Sequence, residues 1–161
     1  MKNSLEGDVH VNIDTVVRSI AIQSLLQIGS RSFSHLLNAI ERYLALLRNL
    51  ASGGVSSAAG AGGNTEAKVD ILASVANFWR RNPHMITIIF DKLMQYQIID
   101  PGDVVAWTFA NKVAFAGFSG SARTLGAFEW DGLKGALDKA NGRAMVAKWK
   151  VQALRMILEQ K

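Results

Sequence analysis

The stretch SFSHLLNAIERYLALLRNL, from Ser32 to Leu50, has the apolar spacing of a helix with one buried face. Its apolar residues recur at intervals of three and four, and Ser32 is a favourable N-cap for such a helix. The stripe consists of Phe33, Leu36, Leu37, Ile40, Tyr43, Leu44, Leu47 and Leu50. The pattern predicts a single helix that packs this face against the rest of the protein.

A second helical pattern precedes this stretch. We expect Asp14 or Thr15 to cap its start and Gly29 to end it. Its apolar residues are Val16, Val17, Ile20, Ile22, Leu25, Leu26 and Ile28. Because only Ser30 and Arg31 separate the two patterns, the helices should form an antiparallel hairpin.

The stretch FWRRNPHMITIIFDKLMQYQIID, from Phe78 to Asp100, contains the junction between two further helices. The earlier one opens at Thr65 and has an inner face formed by Val69, Leu72, Val75, Ala76 and Trp79. Asn82 and Pro83 should end it and start the next, because proline fits a first helical turn and disfavours helix in the residue before it. The run MITIIF could also form a strand, but the proline start favours a helix from Met85 to Tyr96.

Across these patterns we expect an all-α fold of stacked antiparallel helix pairs. Seven residues should lie in its core, and these are Phe33, Leu37, Ile40, Leu72, Trp79, Ile89 and Leu93. The turn Asp100-Pro101-Gly102-Asp103 should precede a short helix that ends near Phe109, with Asp103 as its cap.

A heptad seam near the C-terminus predicts a long final helix. It consists of Leu133, Leu137, Ala140, Ala144, Ala147, Val151, Leu154 and Leu158. Asn141 and Gly142 form a local stop signal, and Gly135 and Gly142 each cost about 1 kcal/mol in a helix interior. The seam nevertheless keeps its heptad spacing across Asn141 and Gly142. This favours a helix that is continuous but locally weak. A partner helix can approach it closely at the alanines of the seam.

Composition sets the domain organisation and excludes several classes of protein. We expect a flexible N-terminus at 1–13 and a single helical-repeat domain at 14–161, with a disordered Gly/Ser/Ala loop at 52–64 that lacks the spacing of a phosphate loop. The chain has no cysteine, which excludes disulfides, thiolate metal sites and cysteine nucleophiles. No apolar run is long enough for a membrane span, and the start lacks the features of a signal peptide, so we expect a soluble, unsecreted protein with no membrane partner.

We find no constellation for catalysis, a metal or a cofactor. His10, His35 and His84 have no second ligand at metal-binding spacing. Ser34 and His35 are adjacent, and adjacent helical side chains diverge, so they make a poor nucleophile and base pair. Asp91, Asp100 and Asp103 could be an acid/base set, but capping and surface exposure account for them more simply. We therefore expect a protein that is not an enzyme.

Four basic residues are candidate contacts for RNA or a protein partner, namely Arg80, Arg81, Lys148 and Lys150. A net charge of +5 permits such contacts, although the basic residues are dispersed. Trp79 beside the two arginines could stack a nucleobase. The favoured interpretation is that Trp79 completes a buried stripe beside arginines that suit a helix C-terminus. Core or helix-contact positions are likewise expected for Tyr96, Trp107, Trp130 and Trp149.

Taken together, these motifs resemble the C-terminal helical domain of the large subunit of the nuclear cap-binding complex. The matching residues are Ser32, Phe33, Ser34, His35, Trp79, Arg80, Asn82, Pro83, Met85, Ile86, Asp91, Lys92, Gln97, Ile98, Asp100, Val105, Trp107 and Glu129. The resemblance implies a HEAT-like superhelix, similar to the middle domain of translation initiation factor 4G, with a long C-terminal helix. It also implies that His35 makes a side-chain hydrogen bond that packs two helices.

The same resemblance implies a nuclear, non-catalytic scaffold, with shuttling to the cytoplasm conceivable. Its implied partners are a small RNA-recognition subunit that holds the 7-methylguanosine cap, capped RNA indirectly, and factors for RNA processing, splicing, export and decay. No cofactor is implied. The chain is far shorter than the family's three-domain subunit, and its Gly-rich insertion is longer than the usual loop. We therefore expect a part of such a subunit, with direct RNA binding through dispersed basic residues as the alternative.

Overall fold

A computed structural model describes residues 13–53, 64–109 and 125–159, and within these ranges every regular element is a helix. We number the helices in chain order. They are α1 (Ile13–Gly29), α2 (Phe33–Arg42), α3 (Leu44–Ala51), α4 (Thr65–Phe78), α5 (Pro83–Gln95), α6 (residues 101–109) and α7 (Ala127–Glu159). The predicted all-α class is confirmed, and the strand alternative for MITIIF is wrong.

The helices pack in layers, and not all neighbours in space are neighbours in sequence. Helix α1 packs against α2 and α4, α3 against α4, and α4 against α5, which in turn packs against α7. The core lies between these layers. Its most deeply buried side chains include Ile22, Leu26, Leu36, Ile40, Leu47, Ile71, Leu72, Ile89, Met94, Ile98 and Ile99.

The predicted core is only partly confirmed. Ile40, Leu72, Ile89 and Leu93 are buried, and Leu37 and Trp79 are half-buried. Phe33, however, is 44% exposed, so its assignment to the core is wrong. The reason is the rotation of α2 about its axis: Leu36, which is 1% exposed, faces the core in place of Phe33.

The predicted single helix from Ser32 to Leu50 is two helices with a kink at Tyr43. Its backbone has φ −104° and ψ 21°, outside the helical region. The hydrogen bonds from Tyr43 N to Ala39 O (3.1 Å) and from Leu47 N to Tyr43 O (3.0 Å) persist. The chain therefore bends without a loop. No proline or glycine marks the bend, so the sequence gives no signal for it.

The α1–α2 turn depends on the absence of a side chain at Gly29. A Cβ atom there would lie 2.8 Å from Leu36 Cα, closer than real contacts allow. Gly29 is thus the last residue of α1 and permits a close approach of α2. Asp14 and Thr15, expected as caps, lie inside α1. The first described residue, Ile13, is already helical, whereas the sequence predicts a flexible N-terminus at 1–13.

Several predicted helix caps are confirmed. The side chain of Ser32 accepts from His35 N at 3.2 Å, and that of Asn82 accepts from Met85 N at 3.4 Å, directly before Pro83. At the two ends of the expected Gly/Ser/Ala loop, Ser52 and Gly53 end α3, while Asn64 caps α4. The rest of that loop, 54–63, and residues 1–12 lie outside the described residues.

Helix α7 is continuous through Asn141 and Gly142, as the unbroken seam predicted. Its 33 residues extend for about 50 Å at 1.5 Å per residue. Only its first part is buried, at Glu129, Gly132, Leu133 and Ala136. From Ala140 to Glu159 every residue is exposed, so the second half of α7 projects from the described part of the protein.

Candidate functional site

Several charged side chains from different helices converge at the end of α5. After Tyr96 the chain reverses at Gln97, whose φ of 56° is in the left-handed region. Gln97 N donates to Met94 O (3.2 Å) and Ile98 N donates to Leu93 O (3.0 Å), which is the Schellman arrangement. The buried side chains of Ile98 and Ile99 then fix the direction in which the chain continues.

We expect Gln97→Gly to raise the free energy of unfolding by up to about 1 kcal/mol, because glycine adopts a left-handed conformation without the cost paid by other residues. Chemical denaturation measures this directly. Gln95→Gly is the matched control, since Gln95 is also exposed but helical, and it should lower stability. A loss of stability in Gln97→Gly would show that the glutamine side chain makes a contact that outweighs its backbone conformation.

Lys68 connects α4 to the start of α6. Its Nζ lies 2.7 Å from Asp100 Oδ2 and 3.3 Å from Asp103 Oδ2. Asp103 also accepts a hydrogen bond from Asp100 N at 2.7 Å. This contact is half of a capping box, with Asp100 at the N-cap position and Asp103 as the third helical residue. The prediction of Asp103 as the N-cap is therefore wrong by three positions.

The pKa values of this cluster follow from its contacts. The hydrogen bond from Lys68 is the main reason why the pKa of Asp100 is lowered, and Arg143 contributes further. For Lys68, burial alone would lower the pKa, but the hydrogen bond to Asp100 and the charges of Asp103 and Asp100 together raise it. Asp100 thus stabilises the folded protein at pH values above its ordinary pKa of about 3.9. This contribution is lost as the pH falls through the lowered pKa that Asp100 has in the folded protein.

Helix α7 is also held at the end of α5, close to Asp100. Arg143 Nη2 donates to Met94 O at 2.7 Å, and Arg143 Nη1 lies 3.4 Å from Asp100 Oδ1. About one turn of α7 closer to its start, Lys139 forms an ion pair with Asp91. Cations near the carbonyls that end a helix are favourable, so Arg143 stabilises the end of α5 while it holds α7.

Helix α3 reaches the end of α5 from the other side. Arg48 Nη2 donates to Tyr96 O at 3.0 Å. The Tyr96 hydroxyl donates to Glu41 Oε1 at 2.5 Å, and this hydrogen bond raises the pKa of Tyr96. The three carboxylates considered as an acid/base set, Asp91, Asp100 and Asp103, are therefore all engaged in ion pairs between helices. Capping and surface exposure alone did not account for them.

A separate charged contact joins α1 to α4. Arg18 Nη2 and Nε lie 2.7 Å and 3.1 Å from Asp70 Oδ2, and Thr15 Oγ1 donates to the same oxygen at 3.0 Å. The side chains of Arg18 and Asp70 are only 6% and 20% exposed. Together with Lys68–Asp103, this is one of the two most buried ion pairs among the described residues.

Helices α5 and α7 run in the same direction. His84 and Asp131 line one pocket, while Asp91 pairs with Lys139 and Met94 with Arg143 further along. An open groove of about 920 Å³ lies where the two helices separate. Its lining includes Gln97, Asp138, Gly142, Val146 and Lys150.

The four basic candidate residues are exposed but lie in two separate places. Arg80 and Arg81 are in the turn before α5, whereas Lys148 and Lys150 lie on α7 beyond the end of α5. The 13 residues of α5, about 20 Å long, separate the two pairs. The structure therefore does not bring them together into one patch.

The aromatic candidates fall into two groups. Trp107 is buried and meets Phe90 edge to face, and Trp79 packs partly buried against the core beside Phe78. Trp149 is 62% exposed in the projecting part of α7, so its expected core or helix-contact position is wrong in the described residues. Trp130 is 61% exposed and is not a core residue, but it lines an apolar pocket with Val105 and Phe109 of α6.

The remaining polar candidates have local roles. His35 Nδ1 lies 2.6 Å from Ser32 Oγ, so its hydrogen bond belongs to the cap of α2, and the expectation that it joins two helices is wrong. His84 is exposed at the start of α5, and His10 lies outside the described residues. Ranges 13–53, 64–109 and 125–159 contain no group of side chains that could hold a metal ion.

None of the described helices is long and apolar enough to cross a membrane.

Stacked helices joined by interhelical ion pairs define an all-α domain of the HEAT-like class. A family model described as MIF4G like matches residues 1–161. The chain therefore belongs to the MIF4G-like family, which is not a family of enzymes.

Similar proteins carry one name in plants and vertebrates. The chain is 27% identical to Nuclear cap-binding protein subunit 1 of Oryza sativa subsp. japonica over 154 residues, 96% of this chain and 16% of the relative. It is 30% identical to the protein of that name in Arabidopsis thaliana over 95 residues, 59% of the chain and 10% of the relative. The Gallus gallus protein is 28% identical over 95 residues, 59% of the chain and 11% of the relative. The match thus spans a sixth or less of each relative.

Proposed function

We propose that this chain is a non-catalytic scaffold part of the large subunit of a nuclear cap-binding complex. In this role it supports a small RNA-recognition subunit on 7-methylguanosine-capped RNA in the nucleus. It also offers helical surfaces to factors for RNA processing, splicing, export and nonsense-mediated decay. The observation that carries the proposal is the MIF4G-like match over residues 1–161, together with relatives named Nuclear cap-binding protein subunit 1.

The arrangement of charged side chains supports a structural role. Lys68, Asp100, Asp103 and Arg143 are used to hold helices together at the end of α5. Such a junction fixes the angles between neighbouring helices, which is what a scaffold requires of its surfaces. The described residues offer no pair of facing aromatic side chains for a methylated base. The described ring contacts are the edge-to-face pairs of Phe78 with Trp79 and Phe90 with Trp107.

We expect the chain alone to show no selectivity for a 7-methylguanosine cap analogue over unmethylated guanosine triphosphate. A cationic methylated base is recognised by stacking on aromatic faces. Titration of both nucleotides at physiological salt, followed by fluorescence, measures the difference. Binding to the small RNA-recognition subunit should by contrast be detectable by co-purification. Methyl-selective binding by the isolated chain, or failure to bind the small subunit, would contradict the scaffold proposal.

The alternative is a direct RNA-binding helical module. The observation that favours it is the exposure of Arg80, Arg81, Lys148 and Lys150. Phosphate contacts weaken steeply as salt rises, so the salt dependence of RNA binding distinguishes the two functions. If the chain is such a module, replacing either basic pair by alanine should reduce both RNA affinity and its dependence on salt. If it is a scaffold, RNA binding is weak and unselective in both variants.

A further inference from the structure

A trench runs along the side of α7 that faces α5. It consists of a cavity of about 280 Å³ near the start of α5 and the open groove of about 920 Å³ near its end. Asp91 and Gly135 line both cavities, so the two are adjacent, and the ion pair between Asp91 and Lys139 lies where they meet. Of the residues in the heptad seam only Ala147 lines the trench, so the trench and the seam occupy different sides of α7.

Three glycines of α7 line the trench and keep it open. They are Gly132, Gly135 and Gly142. A Cβ atom at any of them would meet no neighbouring atom within 4 Å, so the packing of α7 does not require glycine there. Each glycine nevertheless costs about 1 kcal/mol relative to alanine in a helix interior. Larger side chains would fit at these positions, so the space between α5 and α7 is available to another molecule.

The shape of the trench suits an extended chain rather than a helix. A helix with its side chains is about 10 Å across, and it would have to displace the Asp91–Lys139 ion pair that crosses the trench. An extended segment places alternate side chains on one face about 7 Å apart, so it can pass over the ion pair and direct a side chain into each cavity. The smaller cavity is lined by Ile88, Phe90 and Met94, which suits a large apolar anchor.

The charges along the trench change sign from one end to the other. Asp131 lines the smaller cavity and Asp138 the groove, which further along α7 is lined by Arg143 and Lys150. Among the described residues, Asp131, Asp138 and Lys150 take part in no ion pair. A nucleic acid would place its phosphates against the two carboxylates. The charges are instead complementary to a segment that is basic at one end and acidic at the other.

We propose that the trench binds an extended segment of a partner protein that carries a large apolar residue between a basic end and an acidic end. The basic end faces Asp131, the apolar residue enters the smaller cavity, and the acidic end faces Lys150. These two residues of α7 are about 28 Å apart, a distance that about nine extended residues span. The proposal does not depend on the proposed role in cap binding.

The test uses the whole 161-residue chain and three fluorescent peptides of this length. The peptides share one central leucine and differ only at their ends, which carry Lys and Glu, Lys twice, or Glu twice. Fluorescence anisotropy at physiological salt measures binding. The mixed peptide should bind at least about tenfold more tightly than the other two, because complementary charges select the partner. The net charge of +5 would by itself favour the Glu peptide, so this order of affinities reports on the trench.

Two variants place the same side chain on α7 inside and outside the trench. Gly135 lines both cavities, whereas the exposed Ala140 lines neither. Gly135→Leu should weaken the mixed peptide by about tenfold or more, because it fills the space of the anchor residue, and Ala140→Leu should leave the affinity within about twofold. Lys150→Glu should shift the preference toward the Lys peptide, and Asp131→Lys toward the Glu peptide.

Other results would overturn the proposal. These are equal binding of the three peptides, binding of none of them, and equal losses in Gly135→Leu and Ala140→Leu. A single-stranded RNA that displaces the mixed peptide and loses affinity in Gly135→Leu would identify nucleic acid as the occupant instead. Circular dichroism and chemical denaturation show whether each variant remains folded, and Gly142→Leu repeats the steric test in the larger groove if Gly135→Leu is unstable.

Discussion

Replacing Asp70 by alanine should lower the free energy of unfolding by about 3–5 kcal/mol. The variant leaves the guanidinium of Arg18, whose side chain is 6% exposed, without the carboxylate that it contacts at 2.7 Å. Removing one partner of a buried pair is costly because the remaining charge stays desolvated. Thr15 would lose its acceptor as well. Chemical denaturation of the purified chain measures the change.

Two comparisons make this prediction specific. Asp138→Ala removes an exposed carboxylate on α7 and should change stability by no more than about 0.5 kcal/mol. The double variant Arg18→Met and Asp70→Leu should recover most of the loss, because apolar pairs of similar volume often replace a buried ion pair without cost. A small effect of Asp70→Ala would mean that Arg18 reaches water in solution and that α1 and α4 pack less closely than described.

Leu36→Ala should cost about 2–5 kcal/mol, as expected for truncation of a large side chain in the core. Leu36 is 1% exposed and lies against Gly29, so the neighbouring backbones cannot collapse into the space. Phe33→Ala is the control on the same helix. Phe33 is 44% exposed, and its truncation should cost no more than about 1 kcal/mol.

Thermal and chemical denaturation of both variants decide between two orientations of α2. If Phe33→Ala is the more damaging change, the helix is rotated so that Phe33 faces the core, as the apolar stripe first suggested. Retained helical content in circular dichroism shows that each variant reports on packing rather than on loss of the whole fold.

Helix positions could be predicted from the sequence because their determinants are local. Apolar spacing and the caps Ser32, Asn82 and Pro83 act within a few residues, and the helices were found where these signals place them. The orientation of each helix is less well determined, because a stripe as wide as that of α2 has more than one face that can be buried. Tyr43 shows the limit of prediction from sequence most clearly, because no proline or glycine indicates the bend there.

The charged junction at the end of α5 could not be predicted in this way. Lys68 and Asp100 are 32 residues apart, and Arg143 and Asp100 are 43 apart, so periodicity carries no information about their pairing. A partial signal was present. Lys68 shares a helical face with the buried Ile71, Leu72 and Val75, and Arg18 shares one with Ile22 and Leu25. A charged residue on an apolar face implies a partner, although it does not say which one.

The attachment of α7 makes its tip sensitive to small changes at the end of α5. Arg143 is the last residue of α7 that hydrogen-bonds to another described helix. The 16 residues from Ala144 to Glu159 extend about 24 Å beyond this fulcrum, the point about which the helix can tilt. A tilt of about 10° at this fulcrum moves the tip by about 4 Å, roughly the width of a side chain. Asp100 sits beside the fulcrum and pairs with both Lys68 and Arg143. A substitution that shifts this carboxylate therefore displaces the far end of α7 by more than it displaces the attached end.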